Sequence, residues 1–155
     1  MIALMLLSIG CGPRDTLEGD WSGEVRCDGN DFAFESYLNE IRPFEYDGQF
    51  LFRYERDVSS GTFYANLVYD VQAIQPLRAG AQEISFYNVI WSKLGCKTEY
   101  DDGTEQEGGC QSNGLNTEDY ETDIGDLIMD FNGIDRLVID DGNCQGAFYR
   151  ELSKP

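Results

Sequence analysis

The sequence contains no histidine and few basic residues, and each shortage excludes a class of function. Without histidine there is no His-based catalytic triad, no imidazole metal ligand and no imidazole that titrates near neutral pH. Lys and Arg number 11 against 29 Asp and Glu, which gives a formal net charge of -18. An acidic surface repels the phosphates of nucleic acid, so we expect no nucleic-acid partner, whereas cationic partners are favoured.

The remaining polar residues do not follow a known catalytic or metal-binding spacing. The serines lack a GxSxG elbow, and the cysteines lack CxxC spacing. The acidic stretches 101–107 and 119–126 offer oxygen ligands for calcium, but neither has the EF-hand spacing, and a solvated loop is the favoured interpretation. We therefore expect a protein that is not an enzyme and that has no cofactor and no metal site.

The first ten residues, MIALMLLSIG, are apolar and uncharged. A helix needs about 20 residues to span a bilayer, so this run is too short, and it is typical of an export signal. Residues 7–11, LSIGC, resemble the lipobox of bacterial lipoproteins. The resemblance implies cleavage before Cys11, a lipid anchor on Cys11 and a place in the bacterial cell envelope. Gly12, the next residue, implies the outer membrane.

An ordinary export signal and a buried N-terminal strand are the alternatives for this segment. The signal lacks the usual Lys or Arg at its start, from which we expect the natural start codon to lie upstream. The sequence thus predicts a signal peptide over 1–10, a lipidated polar tether over 11–18 and one domain over 19–155.

Cysteine content agrees with export. With Cys11 as the lipid carrier, four of the five cysteines remain, namely Cys27, Cys96, Cys110 and Cys144. An even set in an exported chain predicts two disulfides, for which three connectivities are open.

From Gly19 onward the apolar residues alternate with period two, which predicts β-strands. Asp47-Gly48 between two apolar runs predicts a type I′ hairpin turn, and the polar stretch 95–124 predicts a long acidic loop. Ile84, Phe86, Ile90 and Leu94 are expected on one face of their strand. The eight predicted strands cover 19–27, 31–42, 50–56, 62–73, 83–94, 126–131, 136–140 and 144–152. Joined mainly by tight turns, they predict an all-β, antiparallel meander barrel.

In a closed meander the first and last strands must pair, and each contains a cysteine. If Cys27 lies opposite Cys144, the antiparallel register places Gly23 opposite Phe148 and Trp21 opposite Arg150. The last pair predicts a cation–π contact. Cys96 and Cys110 then remain to close the acidic loop, which we expect to form a mobile flap over 97–109.

Gly19 and Trp21 on the first strand, with Arg150 on the last, resemble the lipocalin superfamily. The resemblance implies an eight-stranded barrel in which the arginine packs across the tryptophan at the closed end. The alternative is another small β-barrel or sandwich, with a core tryptophan and a surface arginine.

The aromatic residues are the main candidates for ligand contact. They either form the core or line a pocket for a small apolar ligand. The candidate lining residues are Phe50, Phe52, Tyr54, Tyr69 and Phe86. Three functions are left open: an envelope lipoprotein that binds a small hydrophobic ligand, an acidic binder or inhibitor of a cationic envelope protein, and a structural lipoprotein without a ligand.

Overall fold

The structure is a computed structural model and describes residues 16–77, 80–116, 118 and 123–151. The strands are β1 Gly19–Cys27, β2 Asn30–Arg42, β3 Glu45–Val58, β4 Gly61–Ile74, β5 Gln82–Tyr100, β6 Glu105–Glu107, β7 Gly125–Phe131, β8 Arg136–Asp140 and β9 Cys144–Arg150. A 3₁₀ turn at Gln111–Asn113 lies between β6 and β7. Among these residues no helix has the length and apolar character needed to cross a bilayer.

Eight strands close into an antiparallel meander barrel, as the sequence predicts. The order around the barrel is β1-β2-β3-β4-β5-β7-β8-β9, and β9 returns to pair with β1. The short strand β6 lies outside this ring and forms a hairpin with the end of β5. Closure leaves no free edge in the ring, which removes the aggregation hazard of an open sheet.

The barrel interior is filled by side chains that alternate along the strands. In β4 every second residue from Phe63 to Ala73 points inward, and each of these inward residues is buried. The ring of Phe34 lies 3.9 Å from that of Phe148, and Phe50 lies 5.1 Å from Phe86 (distances between ring centroids). An eight-stranded barrel is just wide enough for such side chains, so its middle is a packed core.

The predicted turn at Asp47-Gly48 is wrong, because both residues lie inside β3. The chain reverses at Pro43 and Phe44 instead, where Phe44 has a φ of 68°. Proline pre-sets the backbone for the first central position of such a turn. Gly48 has a different reason to be glycine: a Cβ there would lie 2.1 Å from the carbonyl oxygen of Tyr37 on β2.

Two predictions for β5 are also wrong. Its pairing with β7 shifts between Phe86 and Val89, and Asn88 within this bulge has a φ of 52°. The bulge reverses the inward face, so Val89 is buried and Ile90 is exposed. The strand also continues to Tyr100.

The predicted mobile flap is therefore wrong for its first part, because residues 97–100 belong to the barrel wall. They pair with β4 on one side, and residues 97–99 also pair with β6 on the other. Backbone hydrogen bonds along both edges hold this segment in a regular sheet.

The barrel unit also includes the end of the predicted tether. Leu17 is fully buried in the core, and its carbonyl oxygen accepts a hydrogen bond from the indole of Trp21 at 2.9 Å. Leu17 lies within the tether predicted over 11–18, and its burial is the one contact of an apolar residue in that polar stretch that the structure describes. Residues 1–15, with Cys11 and the predicted signal, lie outside the described residues.

Candidate ligand-binding mouth

The two ends of the barrel are built differently. We call the end at which β1 begins and β9 ends the closed end. We call the opposite end, with the β1–β2 and β8–β9 turns, the mouth end. A ligand can reach the interior only where one of these ends is unfilled, because the strands close the wall.

The closed end is sealed around Trp21. Its partner across β1 and β9 is Arg150, and the guanidinium carbon lies 4.8 Å from the centroid of the indole ring. Arg150 also donates a hydrogen bond to the carbonyl oxygen of Thr16. The ring of Phe131 meets the indole edge-on at 6.0 Å. The structure thus brings together the tryptophan and arginine that the register places opposite each other.

A second set of contacts completes this seal. The hydroxyl of Tyr46 donates to Oε1 of Gln75 at 2.8 Å and lies 3.1 Å from the hydroxyl of Thr16. Tyr46 is fully buried and Gln75 almost so. Because these polar atoms hydrogen-bond to each other, their burial does not cost the free energy that a buried polar atom without a partner would cost.

At the mouth end, a disulfide replaces this network. Cys27 on β1 is bonded to Cys144 on β9, a sequence separation of 117. Cys96 is bonded to Cys110 across the base of the β5–β6 hairpin, a separation of 14. Two disulfides indicate an oxidising compartment outside the cytoplasm.

A half-enclosed cavity of about 180 Å³ lies beside the Cys27–Cys144 bond, and we call it the mouth pocket. Aromatic and aliphatic side chains form its walls and floor, and three polar side chains and one isoleucine stand around its opening. Its lining residues are Phe32, Phe52, Leu67 and Tyr69 inside, with Asp28, Ile124, Asp141 and Asn143 around the opening. This combination of an apolar interior and a few polar groups is typical of small-molecule sites.

The floor of the mouth pocket is already packed without a ligand. Phe52 meets Phe32 edge-on at 6.3 Å and Tyr69 edge-on at 5.8 Å. Beneath it, Phe34 lies 5.2 Å from Phe52 and continues the core. These contacts fix the rings, so the pocket is preformed and ends at this aromatic layer.

The rim of the mouth pocket is acidic and held in place. A side-chain oxygen of Asp141 accepts from the backbone N–H groups of Asn143 at 3.0 Å and Cys144 at 2.7 Å. The N–H of Asp28 donates to the carbonyl of Asn143 at 3.1 Å, which joins the two turns. Two carboxylates on a fixed rim favour a cationic group over an anionic one.

The structure places two of the five predicted lining residues in the mouth pocket. Phe52 and Tyr69 line the mouth pocket, but Phe50 and Phe86 pack against each other in the core. Tyr54 lies outside the pocket and packs against Phe32 and Phe63.

Other lining residues were missed, and for different reasons. The alternation in DFAFES could have indicated Phe32, and that in TFYANLVYDV could have indicated Leu67. No local signal marks Ile124, because it reaches the rim from a polar loop.

The acidic β5–β6 hairpin satisfies part of its own charge through internal contacts. The ammonium of Lys97 donates to Glu99 at 2.5 Å and lies 3.5 Å from Glu105, and both interactions raise the pKa of Lys97. Asp102 accepts from the hydroxyl of Thr104 at 2.6 Å and from its N–H at 2.9 Å, which lowers the pKa of Asp102. Within the described part of the chain, no three acidic or cysteine residues form a group that could hold a metal ion.

The fold and the two bridges define a small, disulfide-bonded, closed antiparallel β-barrel with a buried aromatic cluster and a shallow apolar mouth. No protein-family model, curated protein or solved structure matches this chain.

Proposed function

We propose that this protein is an exported, lipid-anchored binding protein of the bacterial envelope, whose barrel mouth receives a small apolar group. Its role is binding, not catalysis. The observation that carries the proposal is the preformed apolar pocket at one end of a barrel that is otherwise filled. The seal at Trp21 and Arg150 supports a lipocalin-like arrangement, in which one end is shut and the other admits the ligand.

The volume of the mouth pocket limits the ligand. A cavity of about 150 Å³ lined by aliphatic and aromatic side chains admits benzene. The mouth pocket, at about 180 Å³, therefore suits one aromatic ring or a short alkyl group. Asp28 and Asp141 on the rim favour a ligand whose polar end is cationic, so the proposed class is a small aryl or alkyl amine, or the corresponding end of a larger molecule.

The anchor rests on sequence and on cysteine pairing. Residues 7–11 resemble a lipobox, and Cys11 is the one cysteine of five that is outside the two disulfides. A thioether-linked diacylglycerol on Cys11 would hold the protein stably on a membrane, because stable anchoring needs more than one acyl chain. Gly12 after the lipidated residue favours the outer membrane.

The binding site is tested with three ligands of the same shape and different charge. Phenethylamine, phenethyl alcohol and phenylacetate are titrated into isotopically labelled protein, and NMR shifts give each Kd. We expect affinity to fall in that order, by about threefold per step, since exposed charges contribute at most about 1 kcal/mol. The shifts should centre on Phe52 and Tyr69. Raising the salt concentration should shrink the differences, because salt screens exposed charges.

A matched pair of variants decides whether the mouth pocket is the site. Ile124→Trp places a large side chain at the opening and should weaken binding of phenethyl alcohol by about tenfold or more. Ile128→Trp makes the same change on the outer face of β7, where the isoleucine is exposed, and should leave binding unchanged. Equal affinity in both variants would refute the mouth pocket as the binding site.

The anchor is tested in a bacterium that expresses the full chain. Radioactive palmitate should label the parent protein, and Cys11→Ser should abolish the label. An unlabelled parent, or a labelled Cys11→Ser variant, would contradict the lipid anchor without affecting the pocket.

A second candidate, an acidic binder of a cationic envelope protein, is favoured by the exposed carboxylates of the β5–β6 hairpin. Such a complex would weaken as salt rises and would be insensitive to Ile124→Trp. A structural lipoprotein without a ligand would bind none of the three probes.

A further inference from the structure

Four exposed aliphatic side chains lie in or beside the turns of the closed end. Leu77 in the β4–β5 connection is 81% exposed, and Ile134 in the β7–β8 turn is 66% exposed. Ile41, next to the β2–β3 turn, is 50% exposed, and Ile74 at the end of β4 is 49% exposed. We call these four residues the apolar turn surface. Each of the three connections at this end thus presents a large aliphatic side chain to solvent.

The three connections are neighbours. The N–H of Gln75 donates to the carbonyl of Phe44 at 2.9 Å, which joins the β4–β5 connection to the β2–β3 turn. Gly133 in the β7–β8 turn lies against Gly80 in the β4–β5 connection. A Cβ added to Gly133 would be 2.7 Å from the carbonyl carbon of Gly80. The aliphatic side chains therefore belong to one end surface.

The N-terminal segment enters the barrel at this same end. Thr16 is bonded to Arg150 and lies beside Tyr46, and Leu17 is buried against Trp21. Thr16 lies five positions after Cys11 in sequence, so five residue steps join them. Even fully extended, they span only about 17 Å, so a lipid on Cys11 would hold the closed end within that distance of a bilayer.

We propose that the apolar turn surface rests on the bilayer and inserts its aliphatic side chains among the lipid headgroups, so that the mouth points away from the membrane. This inference rests on the lipid anchor of the proposed function. The partner is a zwitterionic lipid surface, because a protein with a net charge of -18 is repelled by anionic headgroups. Anchoring brings the surface to the bilayer, and burial of apolar area then sets the orientation.

The test measures which part of the anchored protein touches lipid. The free thiol of Cys11 in the full chain is coupled to maleimide-phosphatidylethanolamine in phosphatidylcholine vesicles with brominated acyl chains. Bromine quenches nearby tryptophan. Leu77→Trp places the probe on the apolar turn surface, and Ile128→Trp places it on the outer wall of β7 as the matched control. Both positions are exposed, and Trp21 and Trp91 contribute the same background to each.

We expect the added tryptophan of Leu77→Trp to be quenched at least about twofold more than that of Ile128→Trp, with a blue shift on coupling. Equal quenching, or none in Leu77→Trp, would overturn the proposal. If the fluorescence emission of the tryptophan in Leu77→Trp is already blue-shifted before vesicles are added, a second copy of the protein, or residues 1–10, covers the apolar turn surface. That result would also overturn the proposal. If Leu77→Trp fails to fold, Ile134→Trp gives the same measurement.

Chemical coupling keeps this result separate from the proposed function. Even if the bacterium does not acylate the chain, chemical coupling through Cys11 attaches it to the vesicle, and its orientation there can still be measured. Failure of palmitate labelling therefore contradicts the natural anchor, whereas unquenched Leu77→Trp contradicts the contact between the turns and the bilayer.

Discussion

The closed end and the mouth end of the barrel have the same wall but are completed by different chemistry. At the closed end, the large side chains of Trp21, Tyr46 and Arg150 seal the interior. Trp21 and Arg150 each donate a hydrogen bond to a backbone carbonyl, and the hydroxyl of Tyr46 donates to the side chain of Gln75. At the mouth end, a disulfide joins β1 to β9, and the aromatic layer beneath it is left partly uncovered.

The two ends, and not the strands of the wall, differ in how the barrel interior is completed. The alternating apolar faces are similar along the wall, so they specify a core and nothing more. The interior side chains differ in their surroundings where the strands stop. There a side chain either fills the interior, as Tyr46 does, or leaves a pocket, as Phe52 does.

Breaking the mouth-end disulfide should have the largest effect. Its bridge spans 117 residues, and the chain-entropy model gives about 5 kcal/mol for a loop of that length. The bridge between Cys96 and Cys110 spans 14 residues, for which the model gives about 3 kcal/mol. The free energies of unfolding of the double variants Cys27→Ser/Cys144→Ser and Cys96→Ser/Cys110→Ser are compared by urea denaturation.

An equal loss in the two double variants would contradict loop length as the cause of the difference. A larger loss for Cys96→Ser/Cys110→Ser would mean that the β5–β6 hairpin, and not the junction of β1 with β9, limits the stability of the barrel.

Truncating the seal at the closed end comes next. Trp21→Ala should reduce the free energy of unfolding by about 3–5 kcal/mol, because it removes a buried indole that packs against Phe131 and Arg150. Trp91→Ala is the matched control, since Trp91 is only partly buried and lies on β5. Guanidinium denaturation should show a clearly smaller loss for Trp91→Ala. Similar losses would mean that the closed end is no better packed than the wall.

Substitutions of two glycines test how closely neighbouring strands approach near each end of the barrel wall. Gly48→Ala puts a methyl group 2.1 Å from a backbone oxygen of β2 and should cost about 1–3 kcal/mol of folding free energy. Gly95→Ala meets no atom within 4 Å and should change stability by less than about 0.5 kcal/mol. Thermal unfolding of both variants measures this. If Gly48→Ala is tolerated, β2 and β3 do not approach as closely as described.

The smallest effect concerns one carboxyl group beyond the mouth end. Thr104→Val removes the hydroxyl that bonds to Asp102 but keeps the backbone N–H bond. The pKa of Asp102 should rise towards its ordinary value and still remain below it. Carbonyl-detected NMR titration gives this pKa directly.

The sign of the pH effect follows from the lowered pKa. At pH values above the pKa that Asp102 has in the unfolded chain, the ionised carboxylate stabilises the folded hairpin. This contribution is lost as the pH falls through the lower pKa that Asp102 has in the folded protein. A pKa that is unchanged in Thr104→Val would show that the hydroxyl bond is not the main cause.

Much of the fold was predictable because strand alternation is a local property of sequence. The period-two pattern, the short turns and the cysteines at either end of the chain together fix a closed meander and the pairing of Trp21 with Arg150. The wrong predictions concern positions at which a contact with a residue distant in sequence decides the local structure. Gly48 reads as a turn residue, but it is glycine because β2 passes close to it.

The mouth pocket was only partly predictable for the same reason. Sequence places Phe50 and Phe52 on one inward face without revealing their depth in the barrel. Depth follows from strand length and stagger, which leave Phe52 near an end and Phe50 against Phe86. Ile124 reaches the rim from a polar loop that gives no periodic signal.

The sequence by itself determined the all-β class, the antiparallel order of the strands and the inward faces of the strands that have no bulge, because each depends on alternation between near neighbours. Only the tertiary structure decided which aromatic residues are core and which line a pocket, where Leu17 lies, and that Ile41, Leu77 and Ile134 share one end. Those outcomes depend on where distant strands stop relative to one another, and local pattern does not encode that distance.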